Sequence, residues 1–264
     1  MRQIVATVVA RGERIRGLER THGRSILFSQ TISLKCPEME PAKPGQFVMV
    51  RCGSECILPR PFSIHQMNVK GNLSLYFAVL EDGKGTGWLS ERKIGDKVAI
   101  LGPLGNGFSI RPEAHNLLLV AGGMGIAPLL FLAEDAFEKG LSVTLLYGTA
   151  TDNPYTEVFH GIKLIKATED GSAGYHGMVT DLIPEYIGWA NQVFACGPLP
   201  MYKTMAQMPE LENRPVQVSL EIMMGCGLGV CYGCTIKTKS GLRQVCKDGP
   251  VFDLDDILWE EVRT

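Results

Sequence analysis

The sequence has no surplus of charge of either sign: 26 Lys+Arg stand against 28 Asp+Glu over 264 residues, a formal balance of -2. Without a positive field nothing holds a polyanion non-specifically, so nucleic acid is excluded as an expected partner. A long hydrophobic run is also missing. The longest, residues 117–133, falls short of the ~20 apolar residues a bilayer span needs, and Gly122, Gly123, Gly125 and Pro128 interrupt it. No membrane contact is expected. The apolar patch Ile4–Ala10 runs directly into Arg11, Glu13, Arg14 and Arg16, and lacks the h-region and cleavage site of a secretory signal. The expected compartment is therefore the cytoplasm. There is no G-x-S-x-G elbow and no H-E-x-x-H pair, which removes the commonest hydrolytic arrangements. Histidine is sparse, and His22, His65, His115, His160 and His176 are too scattered to suggest a metal site.

What is present describes a folded protein: 45% hydrophobic and 20% charged residues over a length suited to about two domains and a small appendage. Up to about residue 108 the pattern is all-β. Ile4–Ala10, Gln46–Arg51, Leu73–Leu80 and Lys97–Leu101 alternate with turns at residues 43–45, 69–72 and 102–107, which predicts a barrel or sandwich. From about 112 the rhythm becomes strand–turn–helix. Asn116–Ala121 reads as a parallel strand covered on both faces, a helix is predicted from Pro128 to Lys139, and strands follow at Ser142–Tyr147 and Val193–Ala195. This predicts a doubly wound parallel sheet extending to about residue 212, with little helical periodicity in the segment beyond.

Eight cysteines occur, and four of them, Cys226, Cys231, Cys234 and Cys246, fall close together with spacing C-x4-C-x2-C-x11-C. In a long cytosolic chain such clustering signals metal or redox chemistry, and the first three positions match the plant-type spacing for a 2Fe–2S cluster. Gly225, Gly227, Gly229 and Gly233 suit a loop that wraps a cluster closely. A structural zinc site would more often pair two short knuckles or include histidine. A redox C-x-x-C at Cys231 and Cys234 would leave Cys226 and Cys246 without a role. Cys36, Cys52 and Cys56 read as non-ligands.

Two further segments suggest nucleotide cofactors. In Arg60-Pro61-Phe62-Ser63 the arginine suits a pyrophosphate and the serine the edge of a flavin ring, although such turns are common. Gly83-Lys84-Gly85-Thr86-Gly87 follows, with Thr86 predicted to cap a short helix whose N-terminus attracts phosphate. Ala121-Gly122-Gly123-Met124-Gly125-Ile126-Ala127-Pro128 leaves a strand and opens a helix, the context for a dinucleotide pyrophosphate, or simply for tight strand–helix packing. Cys196-Gly197-Pro198 lies at the carboxyl edge of a later strand, where such sheets bind ligands, or where Cys196 is simply a buried packing thiol.

In this order the motifs resemble the ferredoxin–NADP reductase superfamily, and the cysteine segment resembles the electron-transfer subunits of two-protein, NAD-linked dihydroorotate dehydrogenases. The resemblance implies three domains: an FAD-binding β-barrel at 1–108, an NAD-binding α/β domain at 109–214 and a 2Fe–2S domain at 215–264. It implies FAD on Arg60, Pro61, Phe62 and Ser63, on a strand at Ala78, Val79 and Leu80, and on Gly85 and Thr86. NAD is implied at Gly122, Gly123, Gly125, Cys196, Gly197 and Pro198, and the cluster on Cys226, Cys231, Cys234 and Cys246. The chain departs from the family's usual pattern at Met124, at Ile126-Ala127-Pro128 and in the loop after Tyr147, where an arginine is common. The lack of Lys or Arg from Thr149 to Asn153 argues for NAD over NADP, unless a cation arrives from elsewhere in space.

The implied activity is an electron conduit in pyrimidine biosynthesis, linking NAD to an FMN-containing dihydroorotate dehydrogenase catalytic subunit in a heterotetramer of two copies of each. The rival readings are a reductase component serving an oxygenase, a sulfite reductase or a hydrogenase, and, from a different class, a zinc-stabilised nucleotide-binding interaction module.

Overall fold

The computed structural model describes residues 2–16, 20–21, 24–68, 71–153 and 161–262. His22, His160 and the Val69-Lys70 part of the expected turn lie outside the described residues.

The first region is an antiparallel sheet of eight strands, with spatial order Arg60–Ser63, Phe47–Val50, Lys97–Leu104, Arg2–Arg11, Arg24–Lys35, Asn72–Leu80 and Gln66–Met67; Arg20–Thr21 pairs beside Arg24–Lys35. Its strands obey the two-residue period. In Lys97–Leu104 every second residue, from Val98 to Leu104, is buried, so one face of the sheet curls around a core that includes Ile32, Leu34, Val48, Val50, Ile64 and Leu73. The strand Arg24–Lys35 was not among the runs named from sequence. A register shift between Ile26 and Phe28 interrupts its alternation, which hides the period.

The second region is a seven-stranded sheet in the order Tyr175–His176, Lys163–Thr168, Ser142–Thr149, Asn116–Gly122, Gln192–Cys196, Val216–Ser219, Val251–Asp253. All pairs are parallel except the last. The strand Asn116–Gly122, apolar from Leu117 onward, is central because both of its faces are covered. Leu117, Leu119 and Ala121 pack with the helix Ile126–Glu138, while Leu118 and Val120 pack with the helices Ile183–Ile187 and Leu199–Met205. The sheet runs past the expected limit near 212, since Val216–Ser219 and Val251–Asp253 extend it. The helix expected from Pro128 starts earlier, at Ile126, after a 3-10 turn Gly123–Gly125. Pro128 sits in its first turn, where a missing N–H leaves no helix hydrogen bond unmade.

The remaining segment holds the hairpin Thr235–Thr238/Gly241–Gln244 and the short helix Val245–Asp248, which was not expected from sequence. A region this small cannot bury a core of its own. Cys234, Ile236, Val245 and Cys246 instead join a cluster with Phe47, Met49 and Leu104 of the first sheet and Val218 and Leu220 of the second. Among the described residues, no helix is long and apolar enough to cross a membrane.

Candidate functional site

Arg60–Ser63 is an edge strand paired with Phe47–Val50, so that Val50 faces Arg60 and Met49 faces Pro61. Alternation turns Phe62 inward, edge-on to Phe77 at 5.6 Å, and leaves Pro61 and Ser63 half-buried on the opposite face, while Arg60 is exposed at the strand's start. In Asn72–Leu80, Val79 points inward while Ala78 and Leu80 are half-buried on the outside. Arg60 donates from Nη1 to the Leu58 carbonyl at 3.0 Å. A Cβ on Gly85 would lie 3.0 Å from Arg60 Cγ, so the guanidinium stem lies directly against the Gly83–Thr86 turn. The helix there spans Lys84–Ser90 with Gly83, not Thr86, at its N-cap. Two glycines allow it to begin earlier, and Thr86 Oγ1 donates back to the Gly83 carbonyl at 3.4 Å. Arginine, exposed backbone N–H groups and an open outer face are what a flavin dinucleotide requires.

The order of the second sheet reverses between Asn116–Gly122 and Gln192–Cys196, which places a crevice at their carboxyl ends. A cleft of about 430 Å³ opens there, bordered by Gly122, Gly123, Gly125, Gly197 and Pro198. The glycines are required by contact. A Cβ on Gly125 would sit 1.9 Å from the Cys196 carbonyl oxygen, and one on Gly122 would sit 2.7 Å from Pro198 Cδ. Cys196 itself is buried beneath the cleft floor. Burial, then the neighbouring charge of Glu221, push its thiol well above the usual range. Tyr202 fixes this turn: its hydroxyl accepts from Gly197 N at 2.8 Å and donates to Ser219 O at 2.6 Å.

Sequence reasoning missed Thr149, Met178, Asp181, Glu221 and Ile222, which also line the cleft. Glu221 was legible in principle, because it follows a parallel strand at the same carboxyl edge. Its accessible surface faces the cleft, and the surrounding protein raises its carboxyl above the usual range by desolvation. A cation does reach the Thr149–Asn153 loop from a neighbouring strand. Lys166 Nζ lies 3.0 Å from Asp152 Oδ1 and 3.2 Å from Asn153 O, so a carboxylate of the same loop neutralises it.

The four clustered cysteines lie in two neighbouring pairs. Cys226 and Cys231 are in side-chain contact, as are Cys234 and Cys246, and Cys226 is near enough to Cys246 for their charges to interact. Backbone donors point at the sulfurs: Leu228 N to Cys226 Sγ at 3.3 Å, Gly229 N to Cys246 Sγ at 3.1 Å and Cys246 N to Cys234 Sγ at 3.4 Å. Burial raises the Cys226 thiol, but the N–H groups of Leu228, Cys231 and Val230 outweigh it and hold it at about 6. Burial and the Cys234 thiol push Cys246 up to about 12; metal binding displaces that proton. The loop reaches these contacts through left-handed backbone at Gly227, Gly229 and, without the freedom of glycine, Tyr232. Cys36, Cys52 and Cys56 are buried in the first sheet's core, away from this group, and burial pushes the first two to about 12.

The cysteine loop rests on the flavin-side strands. A Cβ on Gly227 would fall 2.5 Å from Cγ of Met49, the residue opposite Pro61, and one on Gly225 would fall 3.9 Å from Leu58 Cδ1. The backbone on either side of Cys226 therefore packs against the residues that flank and pair with the Arg60–Ser63 segment.

Comparison with known proteins agrees with this arrangement. Residues 26–108 match the family model of the oxidoreductase FAD-binding domain, and residues 221–258 match the iron-sulfur cluster binding domain of dihydroorotate dehydrogenase B. The chain is 39% identical over 221 residues to the dihydroorotate dehydrogenase B (NAD(+)) electron transfer subunit of Caldanaerobacter subterraneus subsp. tengcongensis, covering 82% of this chain and 87% of that protein. Against the protein of the same name from Clostridium acetobutylicum the identity is 41% over 214 residues, covering 80% and 84%. Among solved structures, the NADH-dependent reduced ferredoxin-NADP oxidoreductase, described for flavin-based electron bifurcation, superimposes with TM-score 0.82 at 28% identity, over 97% of this chain and 90% of that one. The ferredoxin reductase in carbazole 1,9a-dioxygenase shares the fold, with TM-score 0.66 at 21% identity over 82% and 68%. With an FAD-binding domain, an iron–sulfur cluster-binding domain and a cleft at the carboxyl edge of the parallel sheet on one framework, the chain belongs to the electron transfer subunits of NAD-dependent dihydroorotate dehydrogenase B.

Proposed function

We propose that this subunit accepts electrons from an FMN-containing catalytic subunit that oxidises dihydroorotate, and delivers them to NAD in pyrimidine biosynthesis. The observation that carries this reading is the seating of the cysteine loop on Met49 and Leu58, beside Arg60–Ser63. When bound, FAD exchanges two electrons with NAD and single electrons with an iron–sulfur cluster. The chain's own residues position these groups. Arg60 and the Gly85-Thr86 turn hold the flavin pyrophosphate, Ser63 and the backbone of Pro61 and Phe62 meet the ring, and Ala78, Val79 and Leu80 form the adjoining wall. Gly122, Gly123, Gly125, Gly197 and Pro198 admit the NAD backbone, with Cys196 as support from below. Pairing of Lys166 with Asp152 leaves that loop without a free cation for a 2′-phosphate, which favours NAD.

The cluster is of the 2Fe–2S type, held by Cys226, Cys231, Cys234 and Cys246. Among the described residues, no three His, Cys, Asp or Glu side chains gather around one ion position. The thiols form two pairs, 226 with 231 and 234 with 246, which suits two irons with two thiolates each better than a single tetrahedral zinc. The functional units are residues 1–108 for FAD, 109–214 for NAD and 215–264 for the cluster.

An apolar patch frames the cysteine loop: Ile57 is 91% exposed, Met223 81%, Val230 68% and Tyr232 71%. Exposed apolar residues grouped in this way suit a protein partner. Here the catalytic subunit docks, in a heterotetramer of two copies of each chain, within the cytoplasm where thiols stay reduced. A second reading, a reductase serving another electron-transfer partner, is favoured by the likeness to the bifurcating oxidoreductase. Copurification decides between them. A complex containing FMN, FAD, iron and sulfide that reduces NAD with dihydroorotate supports the first; a complex with those cofactors but no such turnover supports the second, and a colourless zinc protein supports neither.

A further inference from the structure

Among the described residues, two buried side-chain polar atoms have no hydrogen-bond partner: Gln30 Oε1 and Gln244 Nε2. Gln30 Oε1 is an acceptor inside the first sheet, whose amide nitrogen already donates to the Gly12 carbonyl at 2.9 Å. Gln244 is different in chemistry and in place. Its free atom is a donor, it is only 8% exposed, and it stands between two of the cysteines.

Several contacts fix it there. Gln244 ends the strand Gly241–Gln244 opposite Thr235, the residue after Cys234. Its backbone N–H donates to Asp248 Oδ2 at 2.7 Å, and the next residue, Val245, donates to the Cys234 carbonyl at 3.0 Å. Cys246 follows, with its own N–H on Cys234 Sγ. The side-chain amide reaches the cysteine loop itself. A Cβ on Gly229 would be 2.8 Å from Gln244 Oε1, and the N–H of that same Gly229 donates to Cys246 Sγ at 3.1 Å. The amide end is therefore held beside the Cys234–Cys246 pair, with both neighbouring backbone positions already committed.

Buried donors find acceptors almost without exception, and the chain supplies none for this one. The acceptors bordering these contacts are Asp248 Oδ2, already taken by the Gln244 backbone N–H, and the sulfurs of Cys234 and Cys246. We propose that Gln244 Nε2 donates a hydrogen bond to a sulfur of the bound cluster on its Cys234–Cys246 side, and so sets the cluster's reduction potential. Gln244 is a positioning and tuning residue, not a ligand. The sign follows from charge: the reduced cluster is the more negative form, so an added N–H donor stabilises it and raises the potential. The inference rests on the iron–sulfur reading of the four cysteines.

The test uses the full chain, purified with its flavin and iron, and compares the parent with Gln244→Leu and Gln244→Met. Both variants remove the donor without adding charge, and Met keeps the length of the side chain. Iron and sulfide content is measured first, then the potential by a titration followed by electron paramagnetic resonance. Exchangeable-proton couplings to the reduced cluster are recorded in heavy and light water. The expected result is parental iron content, loss of one exchangeable coupling, and about a tenfold shift of the oxidised-to-reduced ratio toward oxidised at fixed potential, ~59 mV downward for a one-electron couple. If Gln244→Leu fails to retain iron, Gln244→Met decides. Full iron with unchanged potential and couplings in either variant overturns the role of Gln244 and leaves the cluster intact. A parent protein without iron and sulfide overturns the cluster reading itself.

Discussion

Asn106 and Val251 exchange two hydrogen bonds: Asn106 Nδ2 donates to Val251 O at 2.9 Å, and Val251 N donates to Asn106 Oδ1 at 3.0 Å. The same amide nitrogen reaches Asp248 O at 3.1 Å, and the backbone N–H of Asn106 meets Gly249 O at 2.7 Å. One side chain thus ties the end of the flavin-side sheet to the segment that follows the last cysteine. Asn106→Ala removes the side-chain bonds and leaves the part-buried N–H and carbonyl of Val251 without this partner, at a cost of about 1–2 kcal/mol. A denaturant midpoint unchanged from the parent would show that solvent replaces the amide.

Arg60→Ala removes the charge beside the Gly85 turn. Charge-assisted bonds to phosphate are worth about 1.5–3 kcal/mol, so FAD affinity should fall roughly ten- to a hundredfold. Flavin released on dilution, followed by fluorescence, measures it; tightly retained FAD removes Arg60 from the site.

Gly125→Ala puts a methyl group into the Cys196 carbonyl oxygen, a clash between two backbones that no rotamer relieves. The expected outcome is a loss of about 3 kcal/mol or more in stability, with NADH oxidation failing before flavin is lost. Normal NADH turnover with a dye acceptor would contradict the close strand-to-turn packing.

Cys231→Ala leaves one of the two thiol pairs incomplete. Electron exchange with the catalytic partner should fall to background, while NADH oxidation by an artificial acceptor that takes electrons from FAD persists. Equal retention of both activities would take the cysteine loop off the route.

His65 supplies the pH-dependent prediction. It is buried between the first sheet and the helix Ile126–Glu138, with Nδ1 3.0 Å from the Ala127 carbonyl, a contact that places the proton on Nδ1. Burial lowers its pKa from 6.5, and the Ala127 bond recovers only part of that. The unfolded chain therefore takes up a proton near pH 6.5 that the folded chain resists. Stability is unaffected by this group above that value and declines as pH falls below it. His65→Gln should flatten the decline between pH 6.5 and 5, read as melting temperature against pH; parallel curves for both proteins would assign the acid sensitivity elsewhere.

Much of the site was legible because its signals are local. The C-x4-C-x2-C run, Arg60–Ser63 and the Gly122–Gly125 turn each carry their chemistry within a few residues, and the apolar run Leu117–Ala121 shows a strand covered on both sides. What joins them was not legible. Asn106 with Val251, His65 with Ala127 and Gly227 with Met49 are pairings between distant positions that no periodicity marks. Val251–Asp253 is too short to show an alternation, and the register shift after Ile26 masks the longest strand of the flavin-side sheet. Gln244 shows nothing in sequence, since only an unpaired atom in the folded interior distinguishes it from a surface glutamine.

Ser219 and Val251 stand directly opposite each other on neighbouring antiparallel strands. The polypeptide between them therefore departs from and returns to one spot on the sheet margin, and all four clustered cysteines lie within that detour. Architecturally it is an inlay: a brief reverse turn from 219 to 251 would close the same two strands and leave a simpler flavin–nicotinamide enzyme behind. Wiring to a new redox partner thus centres on a single inlaid piece, whose gain or loss also covers or bares Phe47, Met49 and Leu104 of the frame beneath it.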